Sequence, residues 1–423
     1  MSIVRTSIWN GAAVATRMGT ALLLNKILAI YVGPAGYAVI GQFQNLVSMV
    51  ITFATGATNT GVTKYTAQYY DDQDAQQKLW QTAGTLTAFA SLAAALLIVL
   101  LRHRLAIALL DDAKLASVFF WLAGGLIFIS FNALLLAMLN GKKEVRRYVI
   151  SNIAGSLIGL AVTGALALYY GLYGTLVALS INQALVFFVT WWQVSGTAWF
   201  EWRFLFGRFD RTHATALMGY VAMAAVTAIA APLSQIAVRD DLAGQFGWDY
   251  AGYWDAMWRI SSIYLTFITT TLTLYYLPRL AEIRKPEELR REIITTYRMV
   301  VPITAIISLS IFLLREYVVR ILFTADFSPM TELFAWQLAG DVMKISSWVL
   351  SFVMLGRGMT REFIVTEVLF ALSFWAAAAL FTRFLGFQGE AIAHFVNYTI
   401  YMVVMWYLIL VRSPETRLSA RIP

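Results

Sequence analysis

The chain has 423 residues, 59% of them hydrophobic and only 13% charged, with a net charge of +8, a mean hydropathy of +0.67 and no cysteine. Soluble globular proteins carry about 25% charged residues, so this balance excludes a soluble enzyme and a disordered chain, and the missing thiols exclude disulfides and thiolate chemistry. The apolar residues form runs of about 20, the helical length that crosses a hydrocarbon core of about 30 Å, and not the alternating strands of about 10 residues found in membrane barrels.

Twelve spans are predicted, at residues 7–30, 37–60, 80–101, 117–139, 149–169, 172–194, 214–237, 252–277, 297–314, 330–354, 362–384 and 388–411. The first is a retained span, because Arg17 and Lys26 interrupt its apolar run and no cleavage-type segment follows. With the amino terminus in the cytoplasm, 20 Lys and Arg residues fall on that side and 7 on the other, Arg239 among the 7. The excess of positive charge predicts that both termini are cytoplasmic, which requires an even number of spans. It also accounts for the basic pI without any nucleic-acid partner.

Residues 195–213 (SGTAWFEWRFLFGRFDRTH) are too short and too polar to span. Their aromatic residues are interleaved with Arg203, Arg208 and Arg211, a composition suited to a segment lying on the cytoplasmic membrane surface. The expected organisation is an amino-terminal six-helix half at 1–194, this interfacial linker at 195–213, a carboxyl-terminal six-helix half at 214–411 and a short cytoplasmic tail at 412–423.

The two halves share sequence. At an offset of 215, Gly141, Arg146, Gly171, Gly174, Ala178 and Asn182 recur as Gly356, Arg361, Gly386, Gly389, Ala393 and Asn397. Ala35-Gly36-Tyr37 recurs as Ala251-Gly252-Tyr253. The offset corresponds to six spans, an even number, so both halves insert the same way up. Parallel repeats of this kind are a common transporter design, with the substrate site expected between the halves.

An ionisable side chain at mid-bilayer costs about 2.5–3.5 kcal/mol on insertion scales and so faces protein or a water-filled cavity. Arg17, Lys26, Arg259 and Lys344 are the candidate substrate-binding cations. Asp255, Asp341, Glu367, Glu390 and His394 are candidates for ion coupling or gating, and Gln42, Asn45, Gln337 and Asn397 for polar cavity lining. Helical spacing puts Asp255 and Arg259 on one face, Gln337, Asp341 and Lys344 on another, and Glu390, His394 and Asn397 on a third. Arg17, near mid-span, always charged and with no acidic neighbour at i±3 or i±4, is expected to line a cavity, whereas several of the others have a structural alternative. Asp255–Arg259 and Asp341–Lys344 are also explained as neutralised pairs that hold helices together, Lys26 as a snorkelling side chain, Glu390–His394 as a hydrated mouth and Glu367 as a structural group. Arg17 and Lys26 lie about half a turn out of phase, so on a straight helix they cannot share a cavity. The deep set is neutral to basic, which favours an anionic substrate such as a phosphate.

No catalytic signal stands out. There is no Walker A sequence, no Ser–His–Asp arrangement and no acidic metal cluster, and His103, His213 and His394 have no metal-binding spacing. The glycines at 33–36 and 171–174 are turn glycines between spans.

Four segments carry a family resemblance: GVTKYTAQY at 61–69, LFAWQLAGDVMK at 333–344, GPAGYAVIGQF at 33–43 and the Gly171-x-x-Gly174 start of the sixth span. They resemble the Wzx-type O-antigen and enterobacterial common antigen flippases of the multidrug/oligosaccharidyl-lipid/polysaccharide (MOP) exporter superfamily, and the resemblance runs over nearly the whole chain. It implies an all-α, MATE-like fold of two six-helix halves around a central cavity. It implies a non-enzymatic function, the movement of an undecaprenyl-pyrophosphate-linked oligosaccharide to the periplasmic leaflet of the inner membrane. It also implies no cofactor, coupling to H+ or Na+, and contact with membrane lipids and with the polymerase and chain-length proteins of the same pathway. Ser262 stands where that family carries an acidic residue in the eighth span. A drug/ion antiporter of the same superfamily is the alternative, and it should show acidic dominance in its cavity. An O-antigen polymerase or ligase would need a large periplasmic loop, whereas the longest outer loops here, at 102–116, 238–251 and 315–329, are too short to form a domain.

Overall fold

The computed structural model describes residues 3–55, 59–207, 210–283 and 285–411, which are helical almost throughout, with no strand among them. The expected tail at 412–423 lies outside the described residues, as do Arg208 and Arg284 and the side chains of Arg5, Arg211 and His213. In chain order the helices are α1 (Ile3–Tyr31), α2 (Gly33–Ala54), α3 (Asn59–Gln68), α4 (Gln73–Leu110), α5 (Val118–Gly141), α6 (Val145–Ser195) and α7 (Arg211–Phe246). There follow α8 (Trp248–Thr271), α9 (Leu277–Glu282), α10 (Pro286–Leu313), α11 (Arg315–Leu322), α12 (Phe334–Gly356), α13 (Thr360–Leu385) and α14 (Gln388–Trp406). Among the described residues, nine helical stretches are long and apolar enough to cross a membrane, and one of these, α6, contains two of the predicted spans. The other two predicted spans fall on α7 and α8, which carry Arg239, Asp240 and Asp241, and Asp249, Asp255 and Arg259.

Several boundaries differ from the hydropathy reading. The predicted span 37–60 ends as a helix at Ala54, and the chain resumes as the short α3 at Asn59. Conversely, α4 runs 38 residues, well beyond the predicted 80–101. Asp72 caps its start by accepting a hydrogen bond from the Ala75 N–H at 2.9 Å. Arg102, His103 and Arg104 are tolerated inside the helix, which ends only where Asp111 turns left-handed at φ 54°.

The duplication is visible in the backbone. Gly171 breaks α6 at φ 56°, ψ −132°, and Gly386 separates α13 from α14 at φ 69°, ψ −156°. These values are strained for any residue with a Cβ. A Cβ on Gly174 would stand 2.1 Å from the Leu166 carbonyl oxygen, and one on Gly389 would stand 2.3 Å from that of Phe381. Lys143 and Gly358, also 215 apart, both take left-handed φ, at 59° and 63°.

The chain divides into two compact units, Met1–Gly33 with Val39–Pro232, and Pro34–Ala38 with Leu233–Pro423. The core of unit 1 includes Leu79, Trp80, Leu134, Met138 and Val194, joined by Phe200 and Leu205 of the segment at 195–213. Trp199 tilts against Trp80 with ring centroids 5.5 Å apart, and the Leu205 carbonyl closes on Gly84 so tightly that a Cβ there would be 2.0 Å away. Only part of that segment is exposed, Trp202 and Phe206 among it. Lys142, at the α5–α6 turn, sits over the rings of Tyr70, Trp80 and Trp199 at 5.0, 5.6 and 5.8 Å. Burial pushes its pKa down, partly offset by Asp71.

Candidate functional site

In unit 2 three helices meet at one carboxyl group, and a fourth joins through a tyrosine hydroxyl. Asp341, on α12, is fully buried. It accepts hydrogen bonds from Ser261 Oγ and Tyr264 Oη of α8, both at 2.6 Å, and lies 3.1 Å from His394 Nε2 of α14. Tyr264 Oη also meets Ser308 Oγ of α10 at 3.2 Å. The approach of α14 depends on Gly340, whose missing Cβ would otherwise lie 2.3 Å from His394 Cδ2. Two hydroxyl donors and an imidazole nitrogen thus gather around this one side chain.

Lys344 is held differently from the direct ion pair with Asp341 that their spacing allows. Its Nζ lies 4.3, 5.0 and 5.2 Å from the ring centroids of Trp258, Trp348 and Tyr398, a three-sided aromatic cage. Asp341 and the partly buried Glu367 act on it at longer range. Glu367 therefore has a cationic neighbour, supplied by α12 and invisible at i±3 or i±4 of its own helix.

Glu390 and His394 are fully buried, not at a hydrated mouth. Neither carboxylate oxygen of Glu390 has a hydrogen-bond partner, and its polar neighbours, the Trp254 and Trp258 indoles, stand outside strict hydrogen-bond geometry. The His394 ring packs edge-on to Trp258 and Tyr398, at 5.3 and 4.8 Å, and its Nδ1 has no partner. Gln337 is buried with both amide atoms unpaired. Asn397 accepts from Ser373 Oγ at 2.7 Å and donates to the Phe370 carbonyl at 3.3 Å. No group of three or more His, Cys, Asp or Glu placed to hold a metal occurs among the described residues.

The second cluster of unit 2 is an ion triad. Asp255 receives Arg239 Nη2 at 2.6 Å and Arg259 Nε at 2.9 Å, and all three side chains are largely buried. The Arg259 guanidinium also covers the Tyr37 ring at 4.7 Å, and that of Arg239 covers Trp254 at 5.3 Å. Trp254 thus connects the triad to Glu390. Sequence reasoning placed Arg239 in an outer loop. Instead α7 continues to Phe246 and carries Arg239 into the interior, 2% exposed. Asp255 offers two oxygens to the single Arg259 that shares its face, and that surplus was the only sequence signal for a second cation.

The remaining candidates lie in unit 1. Arg17 is exposed on α1, Lys26 and Asn45 are partly buried, and Gln42 is fully buried. The different exposure of Arg17 and Lys26 follows from their helical phase. The structure thus brings Asp341, Lys344, Glu367, Glu390 and His394 together, and Asp255 with Arg259, while the unit 1 residues form neither cluster.

The described residues form a strandless, duplicated bundle with charge buried inside its helices, a polytopic all-helical membrane protein. Its fold matches an inward-facing MATE family multidrug resistance transporter of the MOP superfamily, with a TM-score of 0.79 and 15% identity over 93% of this chain and 94% of that one. It also matches the lipid II flippase MurJ in an inward closed conformation, with a TM-score of 0.74 and 12% identity over 96% and 87%. At these identities the likeness is one of fold. Residues 27–332 match the family described as polysaccharide biosynthesis protein, and the chain belongs to that family. It is 29% identical over 406 residues to the lipid III flippase of Escherichia coli (strain K12), covering 95% of this chain and 96% of that protein, and equally similar to the lipid III flippase of Shigella flexneri.

Proposed function

We propose that this chain moves an undecaprenyl-pyrophosphate-linked oligosaccharide from the cytoplasmic to the periplasmic leaflet of the bacterial inner membrane, by alternating access and with both termini cytoplasmic. The observation that carries this reading is the end-to-end relation to lipid III flippases. The triad supports it: two buried guanidiniums share one carboxylate, leaving a net positive charge suited to a pyrophosphate. The buried carboxylates Asp341 and Glu390 support coupling to an H+ or Na+ gradient, since one charge moving through 100 mV supplies about 2.3 kcal/mol. The polymerase and chain-length proteins of the pathway are the expected partners.

The test is reconstitution into vesicles holding a fluorescent undecaprenyl-pyrophosphate sugar, with leaflet occupancy read by an impermeant quencher. Protein-dependent exchange between leaflets is expected, and its absence overturns the reading. The MATE-like fold favours a drug/ion antiporter as the second reading, and efflux of an organic cation without lipid movement in the same vesicles would select it.

A further inference from the structure

Unit 1 contains a cleft of about 340 Å3 between α2 and the second segment of α6. Its polar lining is Gln44, Ser48 and Thr52 from α2, one turn apart, and Asn182 and Gln183 from α6. All five are uncharged amides or hydroxyls, able both to donate and to accept. Val47, Ile51 and Leu179 complete the wall with apolar surface. The volume falls in the range of small-molecule sites, about 300–1,000 Å3. A strip of polar side chains on membrane-spanning helices fronts protein or water and not lipid, yet Ser48 and Gln183 are exposed.

The duplication sets this cleft against its equivalent positions in unit 2. At the offset of 215, Leu179, Asn182 and Gln183 correspond to His394, Asn397 and Tyr398. In unit 2 those positions are closed: Asn397 is bonded to Ser373 and to the Phe370 carbonyl, and His394 and Tyr398 pack into the buried charged cluster. In unit 1 the Asn182 Oδ1 is buried without a partner. Gly159 makes room for that amide, since a Cβ on it would stand 2.6 Å from Asn182 Nδ2.

We infer that this cleft of unit 1 is a saccharide subsite, in which the Asn182 amide with Gln183, Ser48 and Thr52 binds the hydroxyl and acetamido groups of a neutral sugar. The inference rests on the flippase reading and deepens it. It divides labour between the duplicated units, with charge handled in unit 2 and the uncharged sugar read in unit 1. A lining with no charged side chain disfavours an anionic ligand, while mixed donors, acceptors and apolar patches match a sugar's hydroxyls and C–H faces.

The test compares binding of undecaprenyl-pyrophosphoryl-N-acetylglucosamine and of bare undecaprenyl pyrophosphate to the purified full chain in detergent. The wild type is expected to prefer the sugar-bearing lipid by about tenfold, the size of one or two net hydrogen bonds. Asn182→Leu should reduce that affinity to the level of the bare lipid. Gly159→Ala should do the same by displacing the Asn182 amide, in a substitution that otherwise favours helix. Equal wild-type affinity for the two lipids, or a preference that survives in both variants, overturns the inference while leaving the flippase reading standing. A wild type that binds neither lipid overturns the flippase reading, and this inference with it.

Discussion

Asp255 shows how little of a buried charge's meaning lies in its own helix. With Arg239 and Arg259 it forms a triad whose worth lies in completeness, because removing one partner of a buried pair costs about 3–5 kcal/mol. Asp255→Ala would leave two guanidiniums buried side by side, so its thermal unfolding midpoint in detergent should fall far more than that of Arg239→Ala, which leaves the Arg259 pair intact. Equal midpoints would contradict the triad. Asp341 and Lys344 make the opposite case. They are one turn apart, yet each has its own pocket: three hydrogen-bonding groups for the carboxylate and three aromatic faces for the ammonium. The charge swap Asp341→Lys with Lys344→Asp should therefore fail to restore transport in vesicles, because a lysine at 341 would face the Ser261 and Tyr264 hydroxyls beside His394, and an aspartate at 344 would face π electrons. Restored transport would show that the two behave as a simple pair. Glu390 is buried with only the Trp254 and Trp258 indoles as near polar neighbours. Glu390→Gln should fold as well as the wild type and still bind the lipid substrate. The same variant should lose the response to an imposed ion gradient, and a wild-type response would remove Glu390 from the coupling path.

At the scale of the element, close helix contacts are written in glycine. Gly174 and Gly389 sit at equivalent turns, and their missing Cβ atoms admit a carbonyl oxygen of the preceding helical segment. Gly174→Ala and Gly389→Ala should each destabilise the protein by about 1–3 kcal/mol through overpacking. Gly11→Ala, with nothing within 4 Å of the new methyl, should be neutral or slightly stabilising. Thermal unfolding of the three variants tests the contrast, and equal behaviour would deny the tight approach. These glycines were legible as repeats and as turn residues. Two spans meeting at a glycine turn were legible as well, and the backbone does break at Gly171, but the sequence did not show the φ and ψ of that break. Nor did it show the length of α4, since a charged residue ends an apolar run without ending a helix.

For the whole molecule, the charge split, 20 to 6 once the buried Arg239 is left out of the outer set, predicts both termini and residues 62–79, 140–148, 195–213 and 278–296 on the cytoplasmic side. The native chain has no cysteine, so single cysteines report cleanly. Cysteines at 143 and 285 should resist impermeant maleimide in intact cells and react once the inner membrane is opened; labelling from the periplasm would reverse the topology. What the sequence determined by itself was whatever depends on neighbours along the chain. This includes the apolar run lengths that set the spans, the six-span duplication, the glycine turns and same-face pairs such as Asp255 with Arg259. Only the tertiary structure decided which charges meet across helices: Arg239 on Asp255, Lys344 near Glu367, and Tyr264 and His394 on Asp341. It also decided that Asn397 is closed off while its counterpart Asn182 lines an open cleft. The physical reason is that a contact between helices depends on their rotation and separation. Those are set by packing at positions such as Gly340 and Gly159, where the absence of a single Cβ decides how closely side chains from another helical segment can approach.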